Sequence, residues 1–372
     1  MEGPNLKKEW NCSVCGRCVL ACPNNAIGFK IGKVNYEPSI DREKCISCKQ
    51  CEKACLGHLE RFDDNAKTKS YICASKDLSV LKDSSSGGIF TELALFVLEN
   101  KGIVLGASFD HKDKVIKHIA VDNSADLYRC RKSKYVQSDP TLIYEIVRQS
   151  SETGRMVLVT GTPCQIAPIK RKYELFTNIL CVDLYCHGAT NPVVFRDYLN
   201  SVGDIEHVDF RTDGAKGNFY FSIHDKNGIN SIKWCYDDPF YKSFIYGYNF
   251  KENCYDCEFS QNTHISDITI GDWNYGNKEE YSIHPSIVTL NTDAGYKAFD
   301  MIKERLKYSE IENVSKIQKY YYSSHRTKKG EWGYNKKLTE EFVNAYFLKN
   351  EDSSIISLLE STTKKAQLEE YI

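Results

Sequence analysis

From about Lys67 onward, short apolar runs alternate with amphipathic stretches, the pattern of strands interleaved with helices in an α/β domain. The apolar runs predict strands at Ile103 to Phe109, Val115 to Val121, Met156 to Thr160, Ile179 to Tyr185, Val208 to Arg211 and Ile268 to Gly271. Between them the periodicity predicts helices at Gly88 to Glu99, Pro140 to Ser150, Pro163 to Tyr173, Pro192 to Val202, Pro239 to Tyr246 and Ala294 to Glu304, several opening on a first-turn proline. Asn227-Gly228, between Tyr220 to Lys226 and Ile229 to Cys235, predicts a hairpin that adds an antiparallel ribbon to the main sheet, which is therefore expected to be mixed. Lys337 to Ile372, rich in Lys, Glu and Leu, predicts two surface helices or a tail docked on the body.

Before Lys67 the pattern is set by cysteines. Cys12, Cys15, Cys18 and Cys22, followed by Pro23, are repeated 33 residues later as Cys45, Cys48, Cys51 and Cys55, followed by Leu56. Three thiolates at i, i+3 and i+6 wrap a tight loop around a cubane whose irons each need one sulfur, so the two runs predict two 4Fe-4S clusters. The fourth cysteine of such paired runs crosses over, which groups Cys12, Cys15, Cys18 and Cys55 at one cluster and Cys45, Cys48, Cys51 and Cys22 at the other. Zinc sites more often use two separated C-x-x-C hooks. The expected fold class is α+β with α/β: a small two-cluster bacterial ferredoxin-like domain at 1–66, a mixed-sheet α/β domain at 67–336 and a helical extension at 337–372.

Composition narrows the function classes. The 372 residues carry a formal net charge of only -1, which gives no electrostatic footprint for nucleic acid. No run is long and apolar enough to span a membrane, and Met1 to Trp10 is polar and charged without a signal-peptide pattern, so a cytoplasmic location is expected. Sixteen cysteines then point to metal ligation in a reducing compartment and to an anaerobic or oxygen-poor host.

Within the second domain, Ser84-Ser85-Ser86-Gly87-Gly88-Ile89-Phe90-Thr91 runs into an apolar helix, where hydroxyls and bare amides meet the positive end of a helix dipole. That suits a phosphate, and it is equally the look of a plain N-cap after a linker. Gly161-Thr162-Pro163-Cys164-Gln165 follows an apolar strand and opens another helix, placing a thiol at the carboxyl edge of the sheet, where α/β proteins bind ligands. Cys186-His187-Gly188 ends the next strand at the same edge, and Cys254-Tyr255-Asp256-Cys257 is a C-x-x-C hook. Cys164, Cys186, Cys254 and Cys257 are thus candidate ligands of a third 4Fe-4S cluster, with tetrahedral zinc as the alternative, if the fold brings them together. Cys73, Cys130, Cys181 and Cys235 lack partners at ligand spacing and read as small packed hydrophobes. Lys132 to Ser138 mixes cations, hydroxyls and Tyr135, suited to phosphate and to stacking on a flat ring, or simply to a solvated loop. Asp267 and Asp272 flank a short strand. Asp272 is placed either for a ribose hydroxyl or for backbone amides in a turn.

The motifs SSSGGIFTELA at 84–94, SKYVQS at 133–138, VTGTPCQIA at 159–167, DLYCHG at 183–188, ENCYDCEFS at 252–260 and SDITIGDW at 266–273 give the chain a resemblance to a family. It resembles the coenzyme F420 hydrogenase/dehydrogenase beta subunits, particularly bacterial members with a fused two-cluster ferredoxin domain. The resemblance implies FAD bound by Ser85, Ser86, Gly87, Gly88 and Thr91 with help from Lys134, Tyr135, Gly161, Thr162, Pro163, Gln165 and Asp272, and a nearby 4Fe-4S cluster. Flavin joins one-electron clusters to a two-electron substrate. Two departures stand out: Lys251 precedes the cysteine hook where the family more often has arginine, and the residues after Asp272 differ in aromatic order. The external electron donor or acceptor implied is ferredoxin or coenzyme F420, with a partner redox subunit as a further expectation. A flavin-dependent ferredoxin oxidoreductase of unassigned substrate ranks first, a deazaflavin oxidoreductase second and a noncatalytic electron-transfer subunit third. His187 is the candidate catalytic proton donor, and the competing role for it is to orient Cys186.

Overall fold

The computed structural model describes residues 4–6, 12–56, 68–214, 217–255, 257, 259, 265–273, 284–311, 336–347 and 354–369. The segment around the expected domain boundary, 57–67, lies outside the described residues, as does 312–335.

The N-terminal segment folds as α1 (Arg17–Ala21), a hairpin of β1 (Ile27–Ile31) and β2 (Tyr36–Ile40), and α2 (Gln50–Leu56). The main sheet has nine strands in the order β14-β3-β13-β12-β8-β7-β4-β5-β6. They are β3 (Lys69–Ser75), β4 (Ile103–Asp110), β5 (Val115–Val121), β6 (Ser138–Asp139), β7 (Val157–Gly161), β8 (Ile179–Leu184), β12 (Ile268–Asp272), β13 (Ser286–Leu290) and β14 (Leu306–Glu310). Its centre, β12-β8-β7-β4, is parallel, while β5 pairs antiparallel with β4, and β13, β3 and β14 continue antiparallel on the other side. The mixed sheet is thus present. The hairpin around Asn227-Gly228 is not part of it: β10 (Gly217–Asp225) and β11 (Gly228–Trp234) join β9 (His207–Gly214) in a separate three-stranded antiparallel sheet. Its buried Val208, Phe210, Phe221 and Ile223 face the helices α7 (Pro192–Val202) and α8 (Pro239–Ile245), so the ribbon has a core of its own to cover and does not extend the main sheet's edge.

Helix starts follow the local chemistry. Pro163, Pro192 and Pro239 each occupy the first turn, and Asn191 and Asp238 cap α7 and α8 by accepting backbone N–H groups of Val193 and Tyr241 at 2.8 Å. Pro140 instead precedes its helix, α5 (Thr141–Thr153). On one sheet face, Leu6, Val19, Leu20 and Ile27 of the N-terminal segment pack with Ile143, Tyr144 and Val147 of α5 and with Ile166 and Ile169 of α6 (Pro163–Lys172). A short helix, α3 (Leu78–Lys82), follows β3 and leads into the serine-glycine turn. The other sheet face is closed by α4 (Ile89–Glu99) and by α10 (Asp293–Ile302). Helices α11 (Lys336–Phe347) and α12 (Ile355–Glu369) bury Leu338, Phe342, Tyr346, Ile355 and Leu359 against the α7 and α8 side. That matches the docked tail. Among the described residues, no helix is long and apolar enough to cross a membrane.

Candidate functional site

The two N-terminal cysteine runs fold as copies of one loop. Val14 and Ser47, each two residues past the first cysteine of its run, have φ of 56° and 55°, and Gly16 and Lys49, two residues further, have 73° and 57°. A left-handed β-branched valine costs on the order of 1–2 kcal/mol, and its recurrence at the repeat's register shows that the loops share one demand, to turn three thiols inward. Val14 N–H donates to Cys12 Sγ at 3.4 Å, and Ala26 N–H to Cys22 Sγ at 3.3 Å.

The thiols assort in crossed sets. Cys18 is close enough to Cys15, Cys12 and Cys55 to feel their charges, as Cys12 feels Cys15 and Cys55. Cys51 feels Cys22 and Cys48, and Cys22, Cys45, Cys48 and Cys51 line one small cleft with Pro4 and Ile46. Burial pushes the Cys12 thiol up to about 11, and Cys18 higher still. Without iron these thiols hold their protons, and metal binding displaces them. The sets differ in depth. Cys12 and Cys18 are buried in one set; in the other Cys51 is buried, whereas Cys48 and its neighbour Ile46 are exposed.

Cys164, Cys186, Cys254 and Cys257 come from four places: the first turn of α6, the residue after Tyr185 beyond β8, the short helix α9 (Glu252–Tyr255), and the hook's end. They nevertheless lie within reach of one another's charge through Cys164 and Lys251. Burial pushes Cys164 up to about 11, with Cys257 and Cys254 adding to it and Lys251 opposing. Lys251, only 2% exposed, feels Cys164, Cys254, Cys12 and Cys186; burial disfavours its charge, but these thiols reverse the balance and hold its pKa above the ordinary value. Among the described residues, no three His, Cys, Asp or Glu side chains gather closely enough for a single metal ion.

Beside this set, at the carboxyl edge of the parallel strands, opens a cavity of about 730 Å³. The sequence-predicted Ser85, Ser86, Gly88, Thr91, Lys134, Tyr135, Gly161, Thr162, Gln165, His187 and Asp272 all line it, with Cys186. Gly88, at φ 79°, caps α4. Gly87 and Pro163 lie outside the lining. A Cβ on Gly87 would stand 2.1 Å from Cys73 O and 2.7 Å from Ser286 N, so this glycine is required for close packing on β3 and β13. Pro163 is buried in the first turn of α6, where Gln165 Oε1 accepts the Thr162 N–H at 3.1 Å.

The Ser85 loop is pinned from several directions. Ser85 Oγ accepts the Ser133 N–H at 2.8 Å, and Ser85 O accepts from Asn218 Nδ2 and Arg211 Nη2, both at 2.7 Å. Arg211, 2% exposed, also donates to Asp272 at 2.5 Å and to Tyr135 Oη at 3.1 Å, and its guanidinium lies 4.4 Å from the Phe219 ring centroid. Burial works against its charge but Asp272 holds its pKa well up. Asp272 is therefore engaged by Arg211 within the protein. Tyr135 stacks on Phe244, centroids 4.3 Å apart, and Trp234 and Tyr236 extend the aromatic wall. Lys134 Nζ donates to the carbonyls of Arg131, Arg129 and Lys132, and burial pulls its pKa down to about 8. His187 sits 5.2 Å from Phe244 and 6.1 Å from Phe250, ring centre to ring centre. Asp267 is a framework group: it pairs with Lys170 at 2.6 Å and accepts the Cys181 N–H at 2.9 Å.

Sequence reasoning missed Arg211, since an arginine ending a strand gives no sign that it turns inward. It also missed His118 on β5, a buried residue in the lining whose Nε2 is 3.0 Å from Thr160 O and whose pKa burial lowers to about 4. Cys130 and Cys235, read as packed hydrophobes, are buried but also line the cavity.

Residues 154–316 match a family model described as the C terminus of the coenzyme F420 hydrogenase/dehydrogenase beta subunit, and residues 11–57 match that of a 4Fe-4S dicluster domain. No curated protein matches the chain significantly. Among solved structures, a chain of the F420-reducing NiFe hydrogenase complex from Methanosarcina barkeri is similar at 18% identity and TM-score 0.48, over 79% of this chain and 98% of that one. The chain thus joins a segment at 11–57 that matches a 4Fe-4S dicluster domain to one at 154–316 that matches the C terminus of the coenzyme F420 hydrogenase/dehydrogenase beta subunit.

Proposed function

We propose that the chain is an iron-sulfur flavoprotein oxidoreductase that passes electrons between 4Fe-4S clusters and FAD. The observation that carries this reading is the adjacency of three things: a cavity of about 730 Å³ at the sheet's carboxyl edge, the four thiols of Cys164, Cys186, Cys254 and Cys257, and the buried thiols of the dicluster domain, with Lys251 beside thiols of both sets. A cubane takes one thiolate at each iron corner, which is what a set of four cysteines supplies.

The residues present fit FAD. Ser85, Ser86, Gly88 and Thr91 offer hydroxyls and backbone at the start of an 11-residue helix for the phosphates, and Tyr135 with Trp234 and Tyr236 offers aromatic surface for flat rings. Bound there, flavin would supply the exchange between single electrons and a hydride. Arg211 fixes the Ser85 loop and Tyr135 in one frame. His187, in the cavity lining beside Cys186, would hold a proton there.

The substrate in this reading is unassigned. The match of residues 154–316 favours a second reading, in which coenzyme F420 is the hydride partner. Anaerobically purified protein, its flavin released and identified, separates the two. Bleaching by reduced coenzyme F420 establishes the deazaflavin reaction. Bleaching by reduced ferredoxin alone establishes the first reading, and absence of FAD overturns both.

A further inference from the structure

Lys251 sits where three parts of the chain meet. Its Nζ donates to Ser13 O at 2.8 Å, inside the loop that carries Cys12 and Cys15, and also to Gln137 Oε1, on the segment that lines the cavity. Its chain position is three residues before Cys254, and its charge lies within reach of Cys12, Cys164, Cys186 and Cys254. Only 2% of it is exposed, and among the described residues no carboxylate pairs with it. A buried ammonium without a counter-charge is destabilising. The groups positioned to balance it here are cysteines, which become anionic when they bind iron.

Resting on the three-cluster reading above, we propose that Lys251 is a positioning residue shared by the Cys12-Cys15-Cys18-Cys55 and Cys164-Cys186-Cys254-Cys257 clusters, a fixed cation that raises the reduction potential of both. Reducing a cluster adds negative charge, and a cation held in a low-dielectric interior favours the more negative state. One lysine therefore moves both potentials in the same direction. The thiols of the Cys22-Cys45-Cys48-Cys51 cluster, of which Cys48 is exposed, are not among the groups that act most strongly on Lys251, so that cluster keeps its potential. The hydrogen bond to Ser13 O holds the dicluster loop in the geometry that makes this sharing work.

The test is a redox titration of the reconstituted full chain followed by electron paramagnetic resonance, comparing the unaltered protein with Lys251→Gln and Lys251→Arg. Iron is counted first. Two potentials that fall together in Lys251→Gln, return in Lys251→Arg, and leave the third unmoved would establish the proposal. All three potentials unchanged, or only one shifted, with the full iron complement present, would overturn it and leave the three-cluster reading standing. If Lys251→Gln loses iron, Lys251→Arg decides: a full complement at the unaltered potentials supports the charge role, and equal loss in both variants assigns Lys251 to packing alone. About eight irons in the unaltered protein would instead overturn the three-cluster reading, and this proposal with it.

Discussion

The two halves of the dicluster domain share a sequence and a backbone but not a setting. Both loops carry left-handed residues at the same register, Val14 and Gly16 in one, Ser47 and Lys49 in the other. Yet the Cys12 set has two buried thiols, Cys12 and Cys18, and lies beside Lys251, while the Cys22 set has one, Cys51, and holds the exposed Cys48. At Gly16 the difference is absolute, because a Cβ there would stand 2.0 Å from the Tyr144 ring, whose hydroxyl donates to Cys15 O at 2.8 Å. At the equivalent Lys49 the side chain points to solvent. Repetition supplies two cysteine sets, and burial gives them different settings: Cys48 reaches the surface, while Ser13, beside Cys12, is bonded to the buried Lys251.

The comparison can be broken most directly at the cysteines. Cys18→Ala is expected to abolish one cluster signal and to lower the chain's stability. Cys48→Ala should abolish another with little loss of stability, because Cys48 is exposed. Thermal unfolding beside iron counting checks both. Arg211→Met sharpens the separation between cavity and iron sites: it leaves Asp272 without its cation and should cost about 4 kcal/mol and the bound flavin, with the iron of both dicluster sites retained.

Acid makes a third distinction. The His118 pKa lies at about 4 in the fold against 6.5 for the free group, so the unfolded chain binds the extra proton first as pH falls. Stability fully present above pH 6.5 should be lost between 6.5 and 4, by ~3 kcal/mol, and His118→Gln should flatten that part of the urea-midpoint profile. The smallest effect concerns the paired loop positions. Gly16→Ala should destabilise by about 2 kcal/mol through overpacking, whereas Lys49→Gly, relieving a left-handed lysine at the surface, should stabilise by up to about 1 kcal/mol.

What could be read from the chain depended on distance along it. The cysteine repeat is local, so its spacing was legible directly. The parallel strands were legible because each is a short apolar run bounded by a turn. β3 and the edge strand β14 were not: they mix polar and apolar residues, as in KSYICAS and LKYSE, and gain their place by pairing, β14 with β3 and β3 with β13. The cavity's glycines and serines were visible as a motif, but Gly87's packing against β3 and β13 was not, because its neighbours Cys73 and Ser286 lie far away in sequence. A substitution at Gly87 thus tests the fold first and the cradle second. Arg211 and Lys251 organise the site through contacts that span dozens to hundreds of residues, and no local pattern announces such a role.

The most direct test of the account is the cofactor content of the full chain after anaerobic reconstitution, with iron, acid-labile sulfide and released flavin measured on one sample. The account predicts about twelve irons, about twelve sulfides and about one FAD per chain, four irons and four sulfides for each of three cubanes. About eight irons with no flavin would contradict it, leaving a dicluster domain joined to a fold that binds neither.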